Sequence, residues 1–113
     1  MRRRVAAGVA LAAAAPAAAD AASLRPAVAS WYGPGLYGNA LGCGGTLWSW
    51  TRGVAHKTLD CGTRVRICSQ RCRTTRVVDR GPYVAGREFD LTAALAGAVG
   101  FRGVGVVYVR VIR

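Results

Sequence analysis

A chain of 113 residues is long enough for one ordinary domain and too short for two domains with separate hydrophobic cores. Its 16 Lys and Arg against 5 Asp and Glu give a formal net charge of +11, which favours a polyanionic partner. The sequence contains no recognisable nucleic-acid-binding helix or stacking motif, and its arginines stand at alternating, strand-like positions, so nucleic acid is not predicted as that partner.

The N-terminal segment is typical of a secretory signal peptide. Arginines at residues 2–4 precede an apolar stretch at residues 5–15, and Ala19, Asp20 and Ala21 form a small-x-small cleavage pattern. Pro16 interrupts the apolar stretch, which is shorter than the ~20 residues of a membrane span. We therefore predict a signal peptide over residues 1–21 and a secreted, cell-wall-associated product.

Cleavage there would leave 13 basic and 4 acidic residues, because three arginines and Asp20 are lost, and the net charge would be +9. Peptidoglycan carboxylates, anionic wall polymers and anionic lipid headgroups are the polyanions available to such a protein outside a bacterial cell. The first cysteine, Cys43, lies far from the cleavage pattern, so no lipid anchor is predicted.

Four cysteines form an even set, which in an exported chain favours two disulfides and leaves three possible connectivities. Their spacing, C-x17-C-x6-C-x3-C, lacks paired zinc knuckles, and His56 is the single histidine. No metal and no organic cofactor are predicted. The cysteines are Cys43, Cys61, Cys68 and Cys72.

Strand patterns dominate the rest of the chain. After a short linker at residues 22–27, the β-favouring residues 28–33 predict a first strand, and six glycines within residues 33–45 predict a long, shaped loop. Residues 63–68 and 73–78 alternate as half-buried strands joined by a hairpin at residues 69–71. A Cys68–Cys72 bridge would close this hairpin, leaving Cys43–Cys61 to fasten the glycine loop, so we favour that connectivity, worth roughly 3 kcal/mol for the longer loop.

The C-terminal part predicts one helix and a closing strand. Residues 91–99 form a short, mostly apolar helix with Asp90 as its N-cap and Gly100 at its end. Residues 104–112 are rich in β-branched side chains and suit the last strand of a barrel.

After residue 21, few side chains can transfer a proton. Asp79 begins the string Asp-Arg-Gly-Pro, where its carboxylate either projects into a groove beside Arg80 or closes an Asx-turn. Asp90 has either a catalytic role or the capping role given above, and His56 could orient a carboxylate or bind a sugar hydroxyl. The remaining acids are Asp60 and Glu88.

Aromatic residues are concentrated in the first third of that region. Flat aromatic faces either stack on sugar rings or pack in the core, and the sequence leaves both uses open. These residues are Trp31, Tyr32, Tyr37, Trp48 and Trp50.

Several strings, taken in order, resemble the rare lipoprotein A (RlpA) family over residues 28–113. They are Ala-Ser-Trp-Tyr-Gly-Pro-Gly from residue 29, Ala-His-Lys-Thr-Leu from residue 55, Cys-Gly-Thr-Arg-Val from residue 61, Asp-Arg-Gly-Pro-Tyr from residue 79 and Phe-Asp-Leu-Thr-Ala-Ala from residue 89. The resemblance implies a mainly β fold, a six-stranded double-psi β-barrel of the kind shared with expansins and barwin-like proteins, here with one short inserted helix and disulfide staples.

The resemblance also implies an activity. Members of the family are lytic transglycosylases that cut peptidoglycan between N-acetylmuramic acid and N-acetylglucosamine and leave 1,6-anhydro ends. By motif position, Asp79 matches the family's catalytic aspartate, which gives a proton and later takes one back. His56 matches the active-site histidine, and Asp90 matches the aspartate of the Phe-Asp-Leu string. The predicted substrate-binding residues are Trp31, Tyr32, Arg80, Tyr83 and Thr46.

One departure from the family leaves alternatives open. The family has Gly-Glu before the histidine, whereas this chain has Gly45 and Thr46, and threonine is a poor proton donor at neutral pH. The chain is therefore either a transglycosylase that depends on Asp79 and His56 or a non-cleaving, expansin-like glycan-binding barrel. A third alternative is a barwin-like binder of a protein partner. In the first two cases the expected partner is the peptidoglycan glycan strand, and a monomer is expected.

Overall fold

The computed structural model describes residues 23–113, so the predicted signal peptide lies outside the described residues. Six strands and one helix follow one another along this part of the chain. They are β1 (Arg25–Tyr32), β2 (Val54–Ala55), β3 (Arg64–Cys68), β4 (Cys72–Asp79), β5 (Phe89–Thr92), α1 (Ala93–Val99) and β6 (Gly105–Ile112). No helix among the described residues is long and apolar enough to cross a membrane.

The strands close into a barrel in the order β1-β5-β2-β4-β3-β6. The pairs β1/β5 and β2/β4 are parallel, and the other neighbours are antiparallel. Each parallel pair joins strands that are distant in sequence, so the chain crosses over the barrel ends instead of following a simple meander. The prediction of a six-stranded closed barrel with one helix is confirmed.

Alternation along the strands builds the core. Val65 and Ile67 of β3 are fully buried, as are Val107 and Val109 of β6, while the residues between them are more exposed. Burial of each such side chain stabilises the fold by ~1.5–3 kcal/mol. Helix α1 adds Leu95 and Val99 to the same cluster. The other members of the cluster are Ala27, Ala29, Val54, Val77, Phe89, Leu91, Ala96 and Phe101.

Both predicted disulfides are present. Cys68 and Cys72 are register partners at the ends of β3 and β4, so their bridge closes the hairpin. The bridge between Cys43 and Cys61 joins the long loop after β1 to the segment before β3. The favoured connectivity is confirmed.

Two predicted boundaries were wrong. Strand β1 begins at Arg25, because Arg25 pairs with Val109 of β6, so the predicted linker at residues 22–27 overlaps the barrel. Helix α1 begins at Ala93 with Thr92 as its N-cap, whose hydroxyl accepts from the Leu95 N–H. Asp90 is therefore not the cap; it lies within β5, paired on both sides. The predicted end of the helix at Gly100 is confirmed, with φ of 73° in the left-handed region that glycine adopts readily.

Candidate functional site

Four adjacent strands place Ser30, Asp90, Ala55 and Asp79 in one row. Ser30 of β1 pairs with Asp90 of β5, Asp90 pairs with Ala55 of β2, and Ala55 pairs with Asp79 of β4. Register partners present their side chains on the same face of a sheet. The neighbouring residues Val54 and Leu91 are fully buried in the barrel core, so this row, here called the aspartate row, lies on the outer face.

Three hydrogen bonds fix the Asp79 carboxylate. Its Oδ1 accepts from the backbone N–H of Gly42 at 2.6 Å and of Arg80 at 2.9 Å, and its Oδ2 accepts from the Tyr32 hydroxyl at 3.0 Å. All three groups are donors, which matches a carboxylate that only accepts. The Arg80 N–H belongs to the next residue, whereas the Asx-turn that the sequence left open would use the N–H two residues on. Gly42 and Tyr32 come from distant segments and hold Asp79 half-buried against the long loop.

Gly42 was missed by the sequence analysis as a site residue. A Cβ at this position would lie 2.9 Å from Asp79 Oδ1, closer than real Cβ atoms approach such an atom, and a tight 3.2 Å from the Arg80 backbone nitrogen. Glycine therefore permits the loop to approach Asp79 closely enough for its N–H to donate. The glycine-rich composition was the available signal, but it did not single out this position.

Tyr32, a predicted substrate-binding residue, lies beside Asp79. Burial of the phenol and the neighbouring Asp79 carboxylate raise the Tyr32 pKa well above its usual range. Asp90 contributes to the same effect from further away. Tyr32 consequently stays a neutral hydrogen-bond donor at all pH values at which the protein would work.

Asp90 is the second carboxylate of the row. Burial is the main cause that raises its pKa, and the charge of Asp79 adds to it, whereas the hydrogen bond from Ser30 and the charge of Arg87 oppose it. The Ser30 hydroxyl, itself buried, donates to Asp90 Oδ1 at 3.1 Å. Ser30 was also missed by the sequence analysis. Asp90 thus retains a proton more readily than an exposed aspartate does.

His56 contacts a different carboxylate. Its Nδ1 accepts from the backbone N–H groups of Thr58 and Leu59, both at 3.1 Å, so the ring proton is on Nε2, which lies 3.3 Å from Glu88 Oε2. The ring also packs against the buried Phe89, with centroids 4.8 Å apart. His56 orients a carboxylate, as the sequence suggested, but that carboxylate is Glu88, which was not among the predicted site residues.

Glu88 is itself paired with a cation. Arg25 donates to both carboxylate oxygens, at 2.8 and 2.6 Å. The hydrogen bonds from Arg25, and secondarily from His56, lower the Glu88 pKa against the opposing effect of burial. Arg25, Glu88 and His56 are here called the ion-pair chain. It joins the start of β1 to the segments before β5 and after β2. Both ring nitrogens of His56 are engaged in these contacts or in hydrogen bonds from the backbone.

Arg80 holds the backbone of the same region. Its guanidinium donates to the carbonyl oxygens of His56 at 3.0 Å and Leu59 at 2.6 Å, and to Cys61 Sγ at 3.2 Å. The side chain that was predicted to bind substrate thus points along residues 56–61, away from the aspartate it follows.

The other predicted substrate-binding residues are dispersed. Trp31 precedes Tyr32 on β1 and so faces the other way, towards a depression of about 590 Å³ lined by α1 and the β3–β4 turn. Tyr83 is 79% exposed, just after the Gly81–Pro82 cis peptide. Thr46 forms an isolated bridge with Ala40 in the loop that carries Gly42. Of the predicted site residues, the structure brings together Tyr32, Asp79 and Asp90.

No group of three or more His, Cys, Asp or Glu side chains within residues 23–113 is arranged to hold a metal ion. The aspartate row and the neighbouring Tyr32 bring together two carboxylates, a phenol and a serine hydroxyl.

Comparisons with a family model and with curated proteins agree on one family. The family model described as lytic transglycolase matches residues 26–111. A probable endolytic peptidoglycan transglycosylase RlpA from Synechocystis is 39% identical over 93 residues, covering 80% of this chain and 29% of the relative. The endolytic peptidoglycan transglycosylase RlpA of Campylobacter jejuni is 37% identical over 86 residues, covering 74% and 31% respectively. The chain thus spans about three tenths of the length of these relatives.

A solved structure supports the fold. The expansin of Clavibacter michiganensis, without ligand, superposes with a TM-score of 0.61 over 80% of this chain and 50% of the expansin. The two share 18% sequence identity. At this level of identity, the similarity establishes the double-psi barrel architecture alone.

Proposed function

The chain belongs to the lytic transglycolase family, and from this premise we propose that it cleaves the glycan strands of peptidoglycan as an endolytic lytic transglycosylase. The observation that carries the proposal is the aspartate row, in which Asp79 and Asp90 flank Ala55 with different surroundings. The bond cut would be the one between N-acetylmuramic acid and N-acetylglucosamine.

The two carboxylates divide the proton transfers. Asp90, whose pKa is raised, donates a proton to the glycosidic oxygen as the bond to the muramic acid C1 breaks. Asp79 accepts the proton of the muramic acid C6 hydroxyl as that oxygen bonds to C1. The products are a 1,6-anhydro ring on one fragment and a free hydroxyl on the other. Each aspartate exchanges its proton with solvent before the next turnover.

The surrounding donors keep Asp79 in place for this step. Gly42, Arg80 and Tyr32 restrict the carboxylate to one orientation, and positioning of a base relative to its substrate accounts for a large part of catalysis. A glutamate at position 46 is not needed in this scheme, because ring closure by the substrate's own hydroxyl replaces an attacking water. Ordinary glycoside hydrolysis uses its second carboxylate to activate water or to attack the sugar.

His56 acts here as a positioning residue. Its backbone N–H donates to the Asp79 carbonyl at 3.1 Å, and its ring is held by Glu88 and by two backbone N–H groups. The histidine thereby fixes the register between β2 and the end of β4, where Asp79 lies.

The protein would work in the cell wall. The predicted signal peptide supplies export, and the basic surface is attracted to peptidoglycan carboxylates and anionic wall polymers. Tyr83, exposed beyond the turn after Asp79, would contact the glycan strand beside the cleaved bond.

A non-cleaving glycan-binding barrel is the competing function, favoured by Thr46 at the position of the family's glutamate. Mass spectrometry of purified, peptide-free glycan strands after incubation with the protein distinguishes the two. We expect 1,6-anhydromuramic ends from the wild type and none from Asp79→Asn. Intact strands that co-sediment with the wild-type protein would overturn cleavage and favour the binder.

A further inference from the structure

The long loop between β1 and β2 presents two tryptophan side chains to solvent. Trp48 is 43% exposed and Trp50 is 71% exposed. Their rings are stacked, with centroids 5.6 Å apart and planes inclined by 15°. Each ring therefore lies against one face of the other, and Trp50, the more exposed ring, presents most of the open aromatic surface. This pair, here called the tryptophan platform, leaves in water an aromatic surface that proteins usually cover.

The backbone around the platform is well anchored. The Trp48 N–H donates to Thr51 Oγ1 at 2.9 Å, and the Thr51 N–H donates to the Trp48 carbonyl at 3.1 Å, which closes a turn between the two rings. Before this turn, Leu47 is buried and its backbone bonds the other arm of the loop. After it, Gly53 exchanges hydrogen bonds with Thr92. An exposed surface that is already ordered loses little entropy when it binds a ligand.

The same loop forms part of the aspartate row's surroundings. Gly42, whose N–H donates to Asp79, lies six residues before Trp48. Six residues of fully extended chain span at most about 22 Å. The platform is therefore near enough to the row for one extended polymer to contact both.

We propose that the tryptophan platform binds a sugar ring of the glycan strand at a position removed from the cleaved bond. The inference rests on the proposed function for the identity of the polymer. The apolar C–H face of a pyranose matches an open indole face, and Arg52, an exposed residue two positions after Trp50, can donate to sugar hydroxyl or carboxylate oxygens. Two rings offer too little area for a stable protein interface, which buries about 800 Å² per partner.

Oligosaccharide length provides the test. In the Asp79→Asn background, which prevents cleavage, isothermal titration would compare a glycan disaccharide with peptide-free glycan oligomers of increasing length. We expect Trp50→Ala to weaken binding of the long oligomers about tenfold, which corresponds to 1.4 kcal/mol, and to leave the disaccharide affinity unchanged. Trp50→Phe, which keeps an aromatic face, should retain most of the long-oligomer affinity.

Leu36→Ala is the matched control. Leu36 lies in the same loop and is 43% exposed, as Trp48 is, but it has no aromatic face. Its removal should leave both affinities unchanged. Urea unfolding would verify that each variant keeps the cooperative transition of the folded barrel.

The outcomes separate this inference from the proposed function. Equal long-oligomer affinities of Trp50→Ala and its parent would overturn the platform, whether or not the wild type cleaves. Weaker long-oligomer binding in Trp50→Ala, with a wild type that leaves strands intact, would support the platform and overturn cleavage. If Trp50→Ala instead lost binding only to phosphatidylglycerol vesicles, the platform would face a lipid surface and the inference would be wrong.

Discussion

Glu88 and Asp90 are separated by Phe89 alone, yet the barrel gives their carboxylates opposite surroundings. Glu88 is bonded through both oxygens to Arg25 and faces His56, and these partners lower its pKa. Asp90 has the neutral Ser30 hydroxyl as its hydrogen-bond partner, and burial raises its pKa. The acid that is hydrogen-bonded to a cation is held ionised, and the acid that is hydrogen-bonded to a neutral hydroxyl keeps its proton more readily.

The difference in partners is the reason that we assign the proton transfers to Asp79 and Asp90 and not to Glu88. A carboxylate bonded to an arginine through both oxygens holds two segments together, and it would have to break that pairing to transfer a proton. A half-buried carboxylate beside a serine keeps its proton within reach of a ligand. In the mechanism that we propose, the ion-pair chain serves the fold and the aspartate row serves the reaction, although both involve β5 or the residues just before it.

The largest expected effect separates the two carboxylates by activity. Asp90→Asn removes the proton donor and should lower kcat on glycan strands about 10²–10⁴-fold, the usual contribution of general acid catalysis. Glu88→Gln keeps an acceptor for the His56 Nε2–H and should retain kcat within the same order of magnitude. Chromatography of the released fragments would measure both rates. An equal loss in the two variants would remove the distinction drawn between them.

The two disulfides offer the next largest contrast. The Cys43–Cys61 bridge spans 18 residues beside the Gly42 contact to Asp79, whereas Cys68–Cys72 spans 4 residues at the far end of β4. From loop entropy, the paired serine substitutions should lower the free energy of unfolding by about 3 and about 2 kcal/mol respectively. Only the first pair should also reduce activity. Urea unfolding of both double variants would measure the two losses of stability, and digestion of glycan strands would measure their activity. The reverse order of stabilities would contradict the prediction.

A smaller effect is expected from the ion-pair chain itself. The pKa of Glu88 in the folded protein lies below its unfolded value of about 4.3. The ionised carboxylate therefore stabilises the fold at pH values above the unfolded pKa. This stabilisation is lost as the pH falls through the folded-state pKa. Because Arg25 is half-exposed, Glu88→Gln should cost less than about 1 kcal/mol at neutral pH. Urea unfolding of wild type and variant should converge in strongly acidic solution. A constant difference across pH would show that charge is not the cause.

The smallest effect has the opposite sign. The folded-state pKa of Asp90 is raised, so its contribution to stability is complete below the unfolded pKa and is lost as the pH rises through the folded value. Asp90→Asn should therefore unfold at the same or a slightly higher urea concentration than the wild type at neutral pH, while it is inactive. A marked loss of stability in this variant would instead give Asp90 a structural role.

Much of the fold was accessible from the sequence, because local patterns determine it. The alternation in residues 63–68 and 73–78 predicted β3, β4 and their hairpin, and the hairpin in turn indicated the cysteine pairing. The helix start was misplaced because Asp90 is a good N-cap by local rules. Pairing of β5 with both β1 and β2 keeps Asp90 in a strand, and such tertiary pairing is not visible in a local pattern.

The site was only partly accessible for the same reason. Motif positions indicated Tyr32, Asp79 and Asp90, but their meeting depends on parallel pairs between strands that are far apart in sequence. Glu88 was recognised as an acid, but its two partners were not recognised. His56 and Arg25 lie 32 and 63 residues away in the sequence, and Arg25 was assigned to a linker. Ser30 and Gly42 were missed because only the register and the path of the loop give them a role.

The most direct test of the account is digestion of peptide-free glycan strands by the wild-type protein in water enriched in heavy oxygen. If the aspartate row promotes closure of the muramic acid ring by its own C6 hydroxyl, the new ends will be 1,6-anhydro and will contain no heavy oxygen. New reducing ends that contain heavy oxygen would show attack by water and would contradict the mechanism.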